Sequence, residues 1–254
     1  LLAACLCAPV LSLFVSALGA NTQQWMHLIG FVIPDAALTT LLLLTGVGVV
    51  VVLLGTGAAW LVTAFQFPGR KVLAWALLLP LAVPTYVVAY SYLDLLHPLG
   101  PVQSVLRAAL GLSSPRELRL PDTRSMLGAI LILGSVLYPY VYLSARHMSL
   151  TQPANLIEAA RGLGHGPFSL FWRVALPMAR PAIVVGTTLA LLETLNDVGA
   201  SEFLGLQTLT VAVYSTWITR SDLAGAAYIA LFMLVLVLGL SALERHARRQ
   251  HVAV

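Results

Sequence analysis

The sequence predicts an all-α membrane protein with six transmembrane helices. Of its 254 residues, 59% are hydrophobic and only 9% are charged, whereas about a quarter of the residues of an average soluble domain are charged. Six apolar runs approach or exceed the roughly 20 residues that a helix needs to cross a bilayer. Within hydrocarbon every backbone polar group must be bonded inside the segment, so we expect these runs to be helices.

We expect each apolar run to form one transmembrane helix. The six runs are Leu1–Leu18, Ala36–Phe65, Leu73–Leu96, Ser125–Ala145, Pro181–Gly199 and Ala224–Leu243. The second is longer than a bilayer requires and should tilt or project. Pro80, Pro84 and Pro139 should bend their helices because each removes a backbone hydrogen bond. The tyrosines near these bends fit either an interfacial belt with packing kinks or the lining of a path. Residues 1–254 contain no domain boundary, so we expect a single transmembrane domain.

A polar insert separates the fourth and fifth apolar runs. It extends from Thr151 to Pro177, reads TQPANLIEAARGLGHGPFSLFWRVALP, and is called the docking insert below. Pro153 suits the first turn of a helix and Gly164 its end, and a second helix should begin at Pro167 and end at Pro177. Each predicted helix carries apolar residues on one face: Leu156, Ile157, Ala160 and Leu163 in the first, and Phe168, Phe171, Trp172 and Ala175 in the second. This pattern is typical of a helix that docks into a groove on another protein.

The distribution of basic residues predicts that both chain ends are cytoplasmic. The side that carries the docking insert holds nine basic residues, namely Arg70, Lys71, Arg146, Arg161, Arg173, Arg180, Arg245, Arg248 and Arg249. The opposite side holds five, namely Arg107, Arg116, Arg119, Arg124 and Arg220. Cytoplasmic loops carry the excess of Lys and Arg, so the docking insert is expected in the cytoplasm. The outer loops are then 19–35, 97–124 and 200–223. The small net charge of +4 argues against nucleic-acid binding.

Two carboxylates lie near the end of the fifth apolar run. Glu193 and Asp197 are four residues apart, and we expect both on one helix face together with the nearby Asn196. A charge inside a membrane usually faces water or the interior of a helix bundle. These residues therefore fit the outer end of a translocation path. Capping of the helix end or contact with lipid headgroups explains them equally well.

No motif in the chain predicts catalysis or a metal site. The six histidines are scattered without an i, i+4 pair, and we find no Walker sequence, GxSxG or HExxH. The GLGHG around Gly164 follows no strand and precedes no GK[ST], so it is no phosphate loop. We therefore expect no enzyme activity and no cofactor in this chain.

The docking insert also matches a known signature. Glu158, Ala159 and Ala160 are followed by Gly164 and by Leu176-Pro177, a spacing that resembles the EAA loop of type I binding-protein-dependent ABC importer permeases. The family pattern ends in Ile-x-Leu-Pro, so Val174 is a departure. The resemblance implies that a cytoplasmic ABC ATPase dimer grips this chain through a set of docking residues. These are Glu158, Ala159, Ala160, Arg161, Gly164 and Pro177.

Other segments are similar to the amino-terminal half of iron(III) transport permeases. They are PLAVPTYVVAYSYLDLL from Pro80, GPVQSVLRAALG from Gly100, LYPYVYLSAR from Leu137 and LLETLNDVGASEFLGLQTLTVAVYSTW from Leu191. That subgroup has Ala-Asp-Phe-Gly where this chain has Asn196-Asp-Val-Gly199. The similarity implies a multi-pass protein of the bacterial inner membrane that passes ferric iron from a periplasmic binding protein. ATP and Mg would be bound by the partner ATPase.

The resemblance implies a second permease half. It is supplied either by a second copy of this chain or by a fused continuation beyond the tail, and the missing initial Met favours a fragment. Thiamine, sulfate, molybdate or polyamine permeases share the docking insert and are alternative interpretations. From different classes, half of an ion-coupled secondary transporter and a structural membrane protein are further alternatives, although a cytoplasmic amphipathic insert would serve no purpose in the former.

Overall fold

The computed structural model describes residues 2–19, 26–112, 114–115, 117–118, 120–151 and 166–252, and all regular structure within these ranges is helical. The all-α prediction is confirmed. The helices are α1 (Leu2–Ala17), α2 (Ile33–Ala64), α3 (Arg70–Ala76), α4 (Thr85–Leu96), α5 (Pro101–Ala109), α6 (Met126–Thr151), α7 (Pro167–Leu170), α8 (Leu176–Asn196), α9 (Gly199–Phe203), α10 (Leu209–Tyr214) and α11 (Leu223–Val252). Wider π turns extend three of them, at Leu28–Val32, Phe171–Ala175 and Ser215–Thr219.

Three helical runs in the described residues are long and apolar enough to cross a membrane. They are Leu28–Ala64, Met126–Thr151 and Phe168–Asn196. A bent pair, Arg70–Ala82 with Thr85–Ala109, raises the number to four if it counts as one span. The regions predicted as the first and sixth spans form the helices Leu2–Ala17 and Leu223–Val252, which are not among these three runs. The structure therefore supports a membrane protein with several spans but does not confirm the count of six.

The third predicted span is broken at its prolines. Helix α3 ends at Ala76, a tight 3-10 turn covers Leu79–Ala82, and α4 starts at Thr85. Val83, the residue before Pro84, is extended with φ −110° and ψ 128°, as expected because a proline ring disfavours helical geometry in the residue before it. The predicted bend at Pro80 and Pro84 is confirmed. Helix α6, in contrast, continues through Pro139.

Two of the π turns lie immediately before a proline near the start of a helix. Ile33 N–H donates to Leu28 O before Pro34, and Leu176 N–H donates to Phe171 O before Pro177. A proline lacks a backbone N–H, and its ring clashes with the carbonyl four residues earlier. A π turn shifts the hydrogen-bond register by one residue. The helical run can therefore continue through each proline.

The chain divides into two compact units, each assembled from separate stretches of sequence. The first comprises Leu1–Thr45, Thr85–Ile132 and Leu195–Gly239, and the second comprises Gly46–Pro84, Leu133–Thr194 and Leu240–Val254.

The core of the first unit joins the start of α2 to α10 and α11. Its buried residues are Leu28, Ile33, Ala36, Leu209, Ala212 and Ile229. Thr40 accepts a hydrogen bond from Leu209 N–H at 2.9 Å and donates its own hydroxyl hydrogen to Ala36 O at 2.7 Å. The first N–H groups of a helix lack intrahelical partners, so this contact satisfies a buried group and fixes the start of α10.

Helix α6 is the central helix of the second unit, and glycines allow two other helices to approach it closely. Val141 is completely buried. A Cβ atom built on Gly55 of α2 would lie 2.6 Å from Val141 Cβ, and one built on Gly186 of α8 would lie 2.7 Å from Val141 Cα. Small residues at such crossings let helix backbones pack closely in membranes. Both neighbours therefore contact α6 at the same turn.

Candidate functional site

Most of the docking insert lies outside the described residues. Positions 152–165 are not described, and they include Glu158, Ala159, Ala160, Arg161 and Gly164. Their predicted role in docking stays a prediction. Pro177 is described and is the second residue of α8.

The sequence predicts that a helix ends at Pro177. In the structure no helix ends there. The helical run continues from Phe168 to Asn196 through both Pro177 and Pro181. The π turn at Phe171–Ala175 precedes Pro177 and shifts the hydrogen-bond register there. The second half of the docking insert and the fifth predicted span are thus one continuous helical rod, which we call the insert rod (Phe168–Asn196).

The aromatic residues at the start of the insert rod point in two directions. Phe168 is 79% exposed and Trp172 is 53% exposed, with ring centroids 6.1 Å apart. Phe171 instead packs on Trp60 of α2 at 5.3 Å, and Ala175 is buried. The prediction that Phe168, Phe171, Trp172 and Ala175 share one face is therefore wrong. The π turn at Phe171–Ala175 changes the angle between successive side chains. Phe171 and Ala175 anchor the rod, and Phe168 and Trp172 remain available.

Two tyrosines of α6 stabilise the broken end of α3. Tyr142 donates to Ala74 O and Tyr138 donates to Leu77 O, both at 2.9 Å. Leu78 N–H bonds to Trp75 O at this break, so the regular i, i+4 partner of Ala74 O is lost. A carbonyl without a partner is costly in hydrocarbon. These tyrosines therefore bond to the backbone at the proline break, a role that neither the belt nor the path interpretation included.

Asp197 lies outside the helix that carries the other two predicted path residues. Glu193 is an exposed residue of α8, and Asn196, also exposed, is its last residue. Asp197 follows the helix and accepts a hydrogen bond from Ala200 N–H at 2.8 Å, which caps α9. The other carboxylate oxygen of Asp197 is buried and has no hydrogen-bond partner in the described structure. The i, i+4 argument fails because α8 ends between the two carboxylates.

The first unit contains a cleft that the sequence did not reveal. Its volume is about 560 Å³, and it lies where the end of α4, the start of α5, residues 120–124 and α9 meet. The Phe203 ring forms one wall, with the Tyr90 ring 5.7 Å away and the Arg124 guanidinium 5.5 Å from its centroid. Gln103, buried beside it, donates to Leu96 O at 2.7 Å. The sequence marked 97–124 as a loop that could hold a surface helix, but no local signal brings Phe203 to it.

Comparison with known proteins places these features in one family. The family model described as "Binding-protein-dependent transport system inner membrane component" matches residues 51–250. A protein named for 2-aminoethylphosphonate transport, permease PhnU of Salmonella choleraesuis (strain SC-B67), is 30% identical over 198 residues, which cover 77% of this chain and 68% of that protein. The molybdenum transport system permease protein ModB of Escherichia coli (strain K12) is 30% identical over 186 residues, covering 71% and 78%.

A solved structure shares the fold along almost the whole chain. It is a bacterial alginate ABC transporter in complex with an alginate pentasaccharide-bound periplasmic protein. The TM-score is 0.78 at 17% identity, and the match covers 97% of this chain and 89% of that chain. At this identity the similarity supports the fold alone.

Proposed function

The chain belongs to the family of binding-protein-dependent transport system inner membrane components, and from this membership we propose that it is the permease subunit of an ATP-driven importer. The observation that carries the proposal is the family match over residues 51–250, which extends from within α2 almost to the end of α11. The chain itself provides the route through the inner membrane. ATP hydrolysis takes place on a separate ATPase subunit, which holds ATP and Mg.

The insert rod supplies the mechanical part of this proposal. The ATPase dimer grips the segment that contains Glu158 and Gly164, and its closure on ATP moves that segment. Because the rod is helical from Phe168 to Asn196, a movement applied at its start reaches Glu193 without an intervening loop. Phe171 on Trp60 and Gly186 on Val141 couple the rod to α2 and α6. A rigid element that shifts between packed helices is a common means of conformational switching.

Three other components complete the proposed importer. Beside the ATPase, a periplasmic binding protein delivers the solute to the outer loops, and a second permease half, fused or as a second copy, completes the path. The excess of basic residues on the docking side supports an inner-membrane orientation with both ends in the cytoplasm.

Two classes of substrate compete. Ferric iron is favoured by the sequence similarity of the segments from Pro80, Gly100, Leu137 and Leu191. An oxyanion is favoured by the relatives, because one is named for 2-aminoethylphosphonate and the other for molybdenum, and neither for iron. Glu193 separates the classes, since its carboxylate would attract a metal cation and repel an oxyanion on the same path.

Substitution of the insert glycine tests the docking role. Gly164→Leu should abolish co-purification with the ATPase and ATP hydrolysis that depends on the binding protein. Gly166→Leu is the matched control, because a side chain at Gly166 would enter open space. If Gly164→Leu leaves both the complex and its ATPase activity at the level of Gly166→Leu, the importer proposal is wrong.

Uptake by proteoliposomes that contain the Glu193→Gln variant tests the substrate class. If iron is the solute, Glu193→Gln should reduce ⁵⁵Fe uptake severalfold and leave molybdate or aminophosphonate uptake absent. If an oxyanion is the solute, the same variant should increase its uptake, because it removes a repelling charge. Unchanged uptake of whichever solute is carried removes Glu193 from the path.

A further inference from the structure

The segment that follows α4 has an almost wholly apolar outer surface. It comprises residues 98–111, contains α5, and is called the apolar segment below. Leu99 is 72% exposed, Val105 is 67% exposed and Leu110 is 62% exposed. Among the other exposed residues of the segment, only Ser104 has a polar side chain. Contiguous exposed apolar residues mark a surface that contacts a membrane or another protein.

The polar side chains of the apolar segment are withdrawn from this outer surface. Gln103 and Arg107 lie one helical turn apart in α5 and are only 1% and 7% exposed. Ser104 is exposed, but its hydroxyl donates to Pro101 O at 2.8 Å. A surface helix of a water-soluble domain has the opposite arrangement, with its polar face towards solvent. The medium that α5 faces is therefore apolar.

The backbone that joins α4 to α5 is bonded within the protein. The Gln103 amide donates to Leu96 O, and Gly100 N–H donates to His97 O, both at 2.7 Å. The last carbonyls of a helix have no intrahelical partner and in water bond to solvent, whereas hydrocarbon offers them nothing. A Cβ atom built on Gly100 would lie 2.4 Å from Asp94 O, so α5 is held directly against the end of α4.

The neighbouring surface favours lipid as the medium. The helical run Thr85–Ala109 contains α4 and α5 and belongs to the bent pair that is apolar enough to count as one further span. Tyr86 and Tyr90 on α4 are 56% and 60% exposed, and tyrosine is enriched where a span meets the membrane surface. A protein partner would be expected to find hydrogen-bonding groups at its contact surface. The apolar segment offers only Ser104, whose hydroxyl is already bonded.

We propose that the apolar segment lies in the lipid at the membrane surface, with Leu99 and Val105 towards the acyl chains. Its start is then not part of a water-exposed loop, although the charge pattern assigned the whole of 97–124 to an outer loop. An interfacial helix of this kind binds by its buried apolar area. Through the bond from Gln103 to Leu96 O, it also anchors the end of α4. The inference requires a membrane protein but neither the ATPase nor a particular solute.

Spin labels on the complete chain in lipid nanodiscs test this location. The two native cysteines are replaced by serine, and Val105→Cys or Ala109→Cys carries a nitroxide. Oxygen concentrates in lipid and a water-soluble nickel chelate in water, so the ratio of their collision rates with the label reports its surroundings. We expect this ratio at both positions to equal that of Leu53→Cys, which is 68% exposed in α2. It should exceed severalfold the ratio of Pro115→Cys, an exposed position later in the same predicted loop.

Two results of this experiment would overturn the inference. A ratio at Val105→Cys equal to that of Pro115→Cys would place α5 in water. Low collision rates with both reagents would mean that protein covers the apolar segment. Spin–spin broadening that disappears on dilution with unlabelled chain would then identify a second copy as the cover.

Quenching by brominated lipid repeats the test without a cysteine. The emission that Val105→Trp adds to that of the wild type should be quenched in bilayers of brominated phosphatidylcholine, and the emission that Pro115→Trp adds should not. Equal quenching of the two variants would contradict the inference. None of these readouts involves ATP hydrolysis or uptake, so the inference fails or stands separately from the proposed importer function.

Discussion

Substitution of Gly55 by alanine tests the close helix packing around Val141. The new Cβ would lie 2.6 Å from Val141 Cβ, 2.8 Å from Tyr138 O and 2.9 Å from Tyr142 N. Ordinary contact begins at 3.4 Å, so α2 must move away from α6 by up to about 0.8 Å. Two of the three contacts are backbone atoms, which cannot rotate away. Overpacking of this kind costs about 1–3 kcal/mol.

Gly57 provides a control two residues away on the same helix. A Cβ on Gly57 meets nothing within 4 Å. Alanine is favoured over glycine in a helix by on the order of 1 kcal/mol at either position, so this gain cancels when the two variants are compared. The difference in unfolding free energy, Gly55→Ala against Gly57→Ala, should therefore be about 1–3 kcal/mol. Denaturant unfolding of the solubilised protein, followed by tryptophan fluorescence, measures it. Equal stability of the two variants would refute the close packing.

Further predictions concern three other contacts. Tyr142→Phe leaves Ala74 O unpaired and should destabilise the fold by about 1–3 kcal/mol in the same unfolding assay. Asp197→Ala should lose the cap on α9 and cost about 0.5–2 kcal/mol, whereas Asp197→Asn should keep it; uptake that falls equally in both would instead indicate a role of the charge in transport. Phe171→Ala should lower stability by about 2–4 kcal/mol, and the exposed Phe168→Ala by less than about 0.5 kcal/mol.

Each of these predictions has a contradicting result. A Tyr142→Phe variant as stable as wild type would mean that Ala74 O finds another partner. If Asp197→Asn is destabilised as much as Asp197→Ala, the cap is not the source of the stability. If Phe168→Ala is destabilised as much as Phe171→Ala, the two rings are not oriented as described.

Composition and run length predicted the helical class because hydrocarbon leaves few ways to satisfy the backbone. The same reasoning located the break at Pro80 and Pro84, since both the missing N–H and the restricted preceding residue are local effects. It failed at Pro177 for a physical reason. The π turn at Phe171–Ala175 lets the helix continue through that proline, and Phe171 in this turn packs on Trp60, 111 residues away in the sequence.

The candidate site was partly predictable, because some of its signals are local in the sequence. The spacing of Glu158, Ala159, Ala160 and Gly164 identified a docking signature from local sequence alone. The pairing of Glu193 with Asp197 was misjudged, because an Asp followed three residues later by a free N–H is also a helix cap. The cleft could not be predicted, since Tyr90 and Phe203 meet only after folding.

The continuity of the insert rod is the central claim, and an insertion tests it most directly. Three glycines placed between Ala175 and Leu176 should leave the segment that contains Glu158 and Gly164 bound to the ATPase but interrupt the rod. The same insertion after Gly205, in the loop before α10, serves as the control. In proteoliposomes that hold the ATPase and the binding protein, we predict continued ATP hydrolysis with solute uptake reduced at least tenfold. Uptake per ATP equal to that of the Gly205 control would contradict transmission through the rod.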